Sequence, residues 1–290
     1  MTNNGTVVIT GGNSGIGLEA AVAIAAADNR VVIAVRSATK GATAVDEIIR
    51  RSGNSDVEAL PLDLASLDSI RSFAKSWNDR DEPIRVLLNN AGLVMKERST
   101  TEDGFEMTFG VNHLGHFLLT NLLQDAITAS GPGARIINVA SGAHKGARNG
   151  LDFDDLMWEH RKYSGLKMGM GAYAASKLAN IMFTRHLAKR LAATGITANA
   201  LHPGMVASNF AREGDGGRIG EIAMTLIRPV AITSAKGALT SIYLATSPEV
   251  ADTSGQYFYK CKPARFTRWA ADEVACARLW DISADLVGLT

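Results

Sequence analysis

Residues 6–20 read TVVITGGNSGIGLEA, and this stretch decides the fold. Thr6 to Thr10 is an uncharged, β-branched run, the pattern of a strand buried on both faces. Gly11, Gly12, Asn13, Ser14, Gly15, Ile16 and Gly17 follow, and a helical pattern begins at once. Glycines let such a loop turn tightly and approach a pyrophosphate, while the helix start supplies N–H groups and the positive end of a dipole. Gly15 to Ala20 fits the G-x-G-x-x-G/A form, with a longer loop ahead of it than in the common fingerprint. A dinucleotide phosphate is therefore expected against Gly11, Asn13, Ser14, Gly15, Ile16 and Gly17.

Working outward, short apolar runs alternate with longer helical patterns. The strand candidates are 6–10, 30–35, 57–62, 85–91, 134–140, 197–202 and 255–259; the helical candidates are 15–27, 38–51, 66–78, 102–129, 171–194 and 234–245. This alternation predicts an α/β fold: one doubly wound, seven-stranded parallel sheet with helices on both faces, residues 1–290 forming a single domain. Two long, Gly-rich, weakly periodic stretches, 143–170 and 205–233, interrupt it and are expected to leave the carboxyl ends of strands, where open α/β sheets bind ligands. Phe210, Ile222, Met224, Leu226 and Ile227 make 205–233 the expected substrate-binding loop, for an apolar substrate.

The second strand should end near the adenosine ribose. An acidic residue there would bond both ribose hydroxyls, whereas an Arg favours a 2′-phosphate. The chain places Val35 in the acidic slot, followed by Arg36, with Lys40 one turn on. The planar guanidinium suits a phosphate, so NADP(H) is expected over NAD(H).

Bulk composition narrows the class. The 290 residues are 46% hydrophobic and 20% charged with a net charge of +1, so nucleic acid and anionic membranes are not expected partners. The two cysteines, Cys261 and Cys276, lack metal-ligand spacing and argue for a reducing compartment. A strand begins at Thr6 with no signal sequence ahead of it, and a cytoplasmic location is expected.

Tyr173 and Lys177, in YAASK, lie one helical turn apart and share a face. An ammonium about 5 Å from a phenol, at an effective dielectric of about 20, contributes roughly 3 kcal/mol, enough to lower the phenol by about 2 pKa units. His113 and His116 are three apart without a third ligand, so packing is expected of them and no metal. His144 follows Ser141 by three residues, where a place in the substrate pocket and a plain loop position are both open.

The pattern T-G-x-x-x-G-x-G, with Asn89-Asn90-Ala91-Gly92, Ser141, Tyr173-x-x-x-Lys177 and Pro203-Gly204, resembles the short-chain dehydrogenase/reductase family over nearly the whole chain. Val111 to Phe117, the Leu151-Asp152-Phe153-Asp154-Asp155-Leu156 insert, Ser176 to Asn180 and the tail from Gly255 to Trp280 resemble its retinol dehydrogenase-like group. The resemblance implies a Rossmann fold and a catalytic tetrad of Asn112, Ser141, Tyr173 and Lys177, with Tyr173 as acid/base and Asn112 holding a water that links Lys177 to solvent. It implies Asp63 and Leu64 against the adenine, and Asn90, Ala91 and Gly92 at the sheet centre beside the cofactor. Pro203, Gly204 and Val206 would flank the nicotinamide, with Ser208 where the family often has Thr. The activity implied is hydride transfer between NADP(H) and the carbonyl or alcohol of a small apolar substrate, by a homodimer or homotetramer. Membrane-bound retinol enzymes carry an N-terminal hydrophobic anchor; none is seen here, and the expected substrate is not retinol itself. The competing readings are an inactive dinucleotide-binding regulator or scaffold, whose mark would be a damaged tetrad, and an epimerase or dehydratase of the extended branch, which uses another glycine spacing.

Overall fold

In the computed structural model, which describes residues 5–163, 169–206 and 232–289, Thr6–Thr10 (β1) is paired on both sides and every one of its residues is buried. The chain continues through Gly15–Ala25 (α1), Arg30–Val35 (β2), Ala38–Ser52 (α2), Val57–Pro61 (β3), Leu67–Asn78 (α3) and Ile84–Asn89 (β4). After a broken helical region come Arg135–Val139 (β5), Met170–Arg190 (α7), Thr197–His202 (β6), Ser234–Thr246 (α8) and Tyr257–Tyr259 (β7). These strands form one parallel sheet in the order β3-β2-β1-β4-β5-β6-β7. The order reverses at β1 and β4, the topological switch point of a doubly wound fold.

Alternate residues of the strands feed two cores. Val8, Val32, Leu87 and Ile136 pack with α3 and α7, whereas Val7, Ile9, Ile33, Leu88 and Ile137 pack with α1, α2 and α8. Burial on both faces is why these strands read as continuous apolar runs.

The sheet departs from the expected seven strands by an eighth, Lys262–Pro263 (β8), antiparallel to β7. The turn between them is Lys260-Cys261, both with positive φ (52° and 59°). Tight hairpin turns need that conformation and usually signal it with Gly or Asn. Neither residue is present, so the pattern gave no warning.

The helix expected over 102–129 is also broken. Met107–Phe109 (α4) leads into a π-helical turn, Gly110–Leu114, then Gly115–Leu122 (α5) and Gln124–Ala129 (α6). The start is fixed by the buried Glu106 carboxylate, which accepts from the Thr108 and Phe109 N–H groups, both at 2.7 Å, and from the Tyr163 hydroxyl. Two further helices, Arg268–Ala271 (α9) and Glu273–Leu286 (α10), close the chain; α10 buries Cys276, Leu279, Trp280, Ser283 and Ala284 and packs on α7.

Gly11 adopts φ +65°, and a Cβ on Gly17 would sit 2.4 Å from the Gly11 carbonyl oxygen and 2.5 Å from Asn90 Nδ2. The loop and α1 therefore approach one another more closely than any side chain permits. Most of the 205–233 loop, with Phe210, Ile222, Met224, Leu226, Ile227 and the expected contact Ser208, lies outside the described residues.

Candidate active site

Three loops meet at the carboxyl ends of β1, β4 and β5. Thr10 joins the first two. Its hydroxyl oxygen accepts from the backbone N–H of Asn90 (2.9 Å) and of Ala91 (3.0 Å), while its carbonyl accepts from Asn90 Nδ2 at 2.8 Å. The glycine-rich loop and the Asn90-Ala91-Gly92 segment are thus fixed to each other before any ligand arrives.

The first turn of α1 has the features that suit an anion. Ser14 stands at the N-cap with no side-chain cap hydrogen bond, and the turn holds no acidic residue. The leading N–H groups are left to a ligand. At the end of β2, Val35 is buried while Arg36 and Lys40 are exposed, and the first turn of α2 has no acidic residue either. Asp63 and Leu64 follow β3; the Asp63 carboxylate accepts from the Ala65 N–H at 2.9 Å, and Leu64 is buried. Beyond β6, Gly204 has φ +96°, and Val206 bridges to Ile232. A Cβ on Gly237 of α8 would touch Val206 at 2.6 Å and Ile16 at 3.2 Å, so the loop after β6 reaches back to the glycine-rich loop. These features fit a dinucleotide lying across the carboxyl edge of the sheet.

α7 carries Tyr173 and Lys177 one turn apart. Lys177 is almost wholly buried, its Nζ donating to the Val139 carbonyl at 2.8 Å and lying 5.6 Å from the centre of the Tyr173 ring. Gly92 faces the same spot: a Cβ there would be 3.2 Å from Asn112 Oδ1 and 3.4 Å from Lys177 Nζ. Asn112 sits in the π turn, a device that often marks a functional site. Its side chain donates to the Leu93 carbonyl (2.9 Å) and Ser176 Oγ (3.0 Å) and accepts from the Leu93 N–H (2.8 Å). Ser141 lies just past β5, its Oγ accepting from the Ala143 N–H at 3.1 Å and also bonding the Tyr173 side chain. Ser141 thus meets Tyr173, and Asn112 and Lys177 both lie beside Gly92.

The electrostatics differ from the sequence estimate. Burial pushes the Tyr173 phenol up to about 12, only partly opposed by the bond to Ser141, and pushes the Lys177 ammonium down to about 7. The spacing predicts a Coulomb attraction between the two; desolvation, which opposes both charges, outweighs it in the buried pocket.

His144 is buried, its Nδ1 donating to the Ser141 carbonyl at 2.6 Å and its ring edge-on to Tyr257 at 5.1 Å. Among the described residues Nε2 has no hydrogen-bond partner, and burial lowers the ring's pKa. His113 bonds Ser283 at 2.9 Å within a cage of Phe109, Phe117 and Phe183, a packing role. His116 is buried as well, and it bonds Thr10 and the Asn112 carbonyl. Thr10 and the Val139 carbonyl also escaped the sequence reading, although a Thr closing the strand ahead of the glycines was available as a signal for the first. Among the described residues, no helix is long and apolar enough to cross a membrane.

The short chain dehydrogenase family model matches residues 5–151 and 165–216. Retinol dehydrogenase 13 of Homo sapiens is 44% identical over 98% of this chain and 85% of its own length. Among solved structures, an uncharacterized protein of Mycobacterium paratuberculosis superposes with a TM-score of 0.75 at 33% identity, covering 98% of this chain and 93% of the other. The actinorhodin polyketide ketoreductase solved with NADPH gives 0.67 at 26% identity, covering 89% and 96%.

Proposed function

The chain belongs to the short-chain dehydrogenases, oxidoreductases of the CH–OH/C=O pair that bind a nicotinamide dinucleotide, and from that premise we propose that it is an NADP(H)-dependent enzyme of an apolar carbonyl or alcohol, with Tyr173 as acid/base. The whole chain, 1–290, acts as one domain in this reading, and 205–233 as its substrate-binding loop. The observation that carries it is the Tyr173–Lys177 pair, one turn apart on α7, with Ser141 bonded to the phenol and Asn112 beside the ammonium.

A bound nicotinamide supplies the hydride in reduction and takes it in oxidation. Tyr173, held protonated by burial, gives its proton to the substrate oxygen as negative charge develops there. Ser141 donates to the same oxygen, where a prepositioned hydrogen bond is strongest in the transition state. Lys177 supports the cofactor ribose and, when charged, eases formation of the phenolate needed in the oxidative direction. Asn112 holds the water that connects Lys177 to solvent. Gly11, Asn13, Ser14, Gly15, Ile16 and Gly17 carry the pyrophosphate, Arg36 and Lys40 the 2′-phosphate, Asp63 and Leu64 the adenine. Asn90, Ala91 and Gly92 would back the cofactor, and Pro203, Gly204 and Val206 would flank the nicotinamide. NADPH bound in the polyketide ketoreductase supports this choice of cofactor. The apolar residues of 205–233 support the substrate class.

A screen of NADPH oxidation across apolar aldehydes, ketones and quinones tests the reading, with Tyr173→Phe as control. Turnover of one such class, lost in the control, is the expected result. Turnover of small charged acids alone, or an undiminished control, would overturn it.

A further inference from the structure

One buried polar side chain lies outside the tetrad and the cofactor loops, yet touches both. His116, on α5, is 2% exposed. Its Nδ1 lies 3.2 Å from the Asn112 carbonyl oxygen and its Nε2 lies 2.9 Å from Thr10 Oγ1. Each partner limits what the ring can be. A carbonyl only accepts, so Nδ1 carries a hydrogen. The Thr10 oxygen already accepts from the Asn90 and Ala91 N–H groups, so its own hydrogen is the one available for Nε2. One arrangement satisfies every group: a neutral ring, Nδ1–H donating to Asn112 and Nε2 accepting from Thr10. Burial agrees, lowering the imidazole to about 4.

We infer that His116 is a positioning residue that couples the cofactor loops to the tetrad: through Thr10 it sets the glycine-rich loop against Asn90-Ala91-Gly92, and through Asn112 it sets the π turn beside Lys177. This rests on the function proposed above. The two arms are chemically distinct, because one needs an acceptor at Nε2 and the other a donor at Nδ1. A buried partner left unsatisfied costs about 1–3 kcal/mol, which corresponds to roughly five- to 150-fold in an equilibrium or rate.

Amide side chains separate the arms. Gln at 116 can place its oxygen where Nε2 stands, and Asn can place its NH2 where Nδ1 stands. His116→Gln should keep the NADPH dissociation constant, read by quenching of protein fluorescence, within about threefold, while lowering kcat at saturating NADPH by about fivefold or more. His116→Asn should do the reverse, and His116→Leu should impair both. Melting temperatures of all three are measured alongside. Nitrogen-15 spectra of the unmutated, cofactor-free protein, with the His116 signals assigned by their loss in His116→Leu, should show that ring neutral with its hydrogen on Nδ1 at pH 7.

If the Gln and Asn variants match each other in both readouts, following only their melting temperatures, His116 is mere packing and the inference is overturned. An unperturbed Leu variant, or a His116 ring assigned as Nε2–H, overturns it too. Failure of the functional reading looks different: the unmutated protein would not bind NADPH, or Tyr173→Phe would keep turnover, and the coupling would fall with it. An inactive Tyr173→Phe beside silent His116 variants would sink the coupling alone.

Discussion

Lys177 Nζ lies 5.6 Å from the centre of the Tyr173 ring and donates to the Val139 carbonyl at 2.8 Å. The ammonium is buried against a carbonyl, and burial lowers its pKa from 10.5 to about 7. The sign of the stability effect follows. Between pH 7 and 10.5 the unfolded chain binds the proton that the folded chain does not, so this group's contribution improves as pH rises through that window. Below pH 7 the full penalty of a buried charge is present.

Lys177→Met in the cofactor-free protein should therefore raise the melting temperature at pH 6, by a free energy on the order of a few kcal/mol, and by much less near pH 10. Thermal melts at the two pH values give the answer. A variant destabilised equally at both would show that the ammonium is well solvated.

Gly17→Ala tests the close approach at the phosphate loop. The new Cβ would meet the Gly11 carbonyl at 2.4 Å, and only backbone movement can relieve it. Overpacking of this kind costs about 1–3 kcal/mol. The variant should melt lower and bind NADPH more weakly by about tenfold, measured by fluorescence titration. Unchanged affinity would mean that the loop does not carry the pyrophosphate.

The proposed preference for NADP(H) rests on the end of β2. Arg36 and Lys40 are exposed beside the buried Val35, and no carboxylate stands in the first turn of α2 to repel a 2′-phosphate. Hydrogen bonds to charged groups contribute about 1.5–3 kcal/mol, so kcat/KM should favour NADPH over NADH by at least about tenfold at low salt. Added salt should shrink the preference. Val35→Asp with Arg36→Ala should invert it. Equal kcat/KM for the two cofactors in the unmutated protein would mean that Arg36 serves only solvent.

The elements that sequence revealed best are those whose signal is local. The first strand runs from Thr6 to Thr10 and the first helix from Gly15, as the pattern TVVITGGNSGIG required, because a doubly buried strand and a glycine turn leave little choice. Tyr173 and Lys177 share a face for the same reason, helical spacing alone. What stayed hidden was tertiary. The break at Gly110–Leu114 lies in a run that reads as unbroken helix, since a π turn has no compositional mark. α10 was missed although Cys276, Leu279, Trp280 and Ser283 repeat at helical spacing; its burial depends on α7, far off in the chain. The charge states of Tyr173 and Lys177 could not be judged from spacing, because the desolvation that dominates them comes from the surrounding fold. The link from His116 to the glycine-rich loop was not legible because Thr10 is brought to it only once the sheet is assembled, the Asn112 carbonyl being a local neighbour on the same helical run.

The central claim is that the Tyr173 phenol moves the proton. Phe at 173 keeps the ring and its packing while removing only the hydroxyl, so the decisive measurement is single-turnover NADPH oxidation by Tyr173→Phe beside the unmutated enzyme, with the best apolar carbonyl from the screen. General acid catalysis contributes about 10²–10⁴-fold, and the account predicts a loss of about 10³-fold with the NADPH dissociation constant unchanged. A rate within about threefold of the unmutated enzyme would contradict it, since such a rate leaves general acid catalysis by the phenol nothing to contribute.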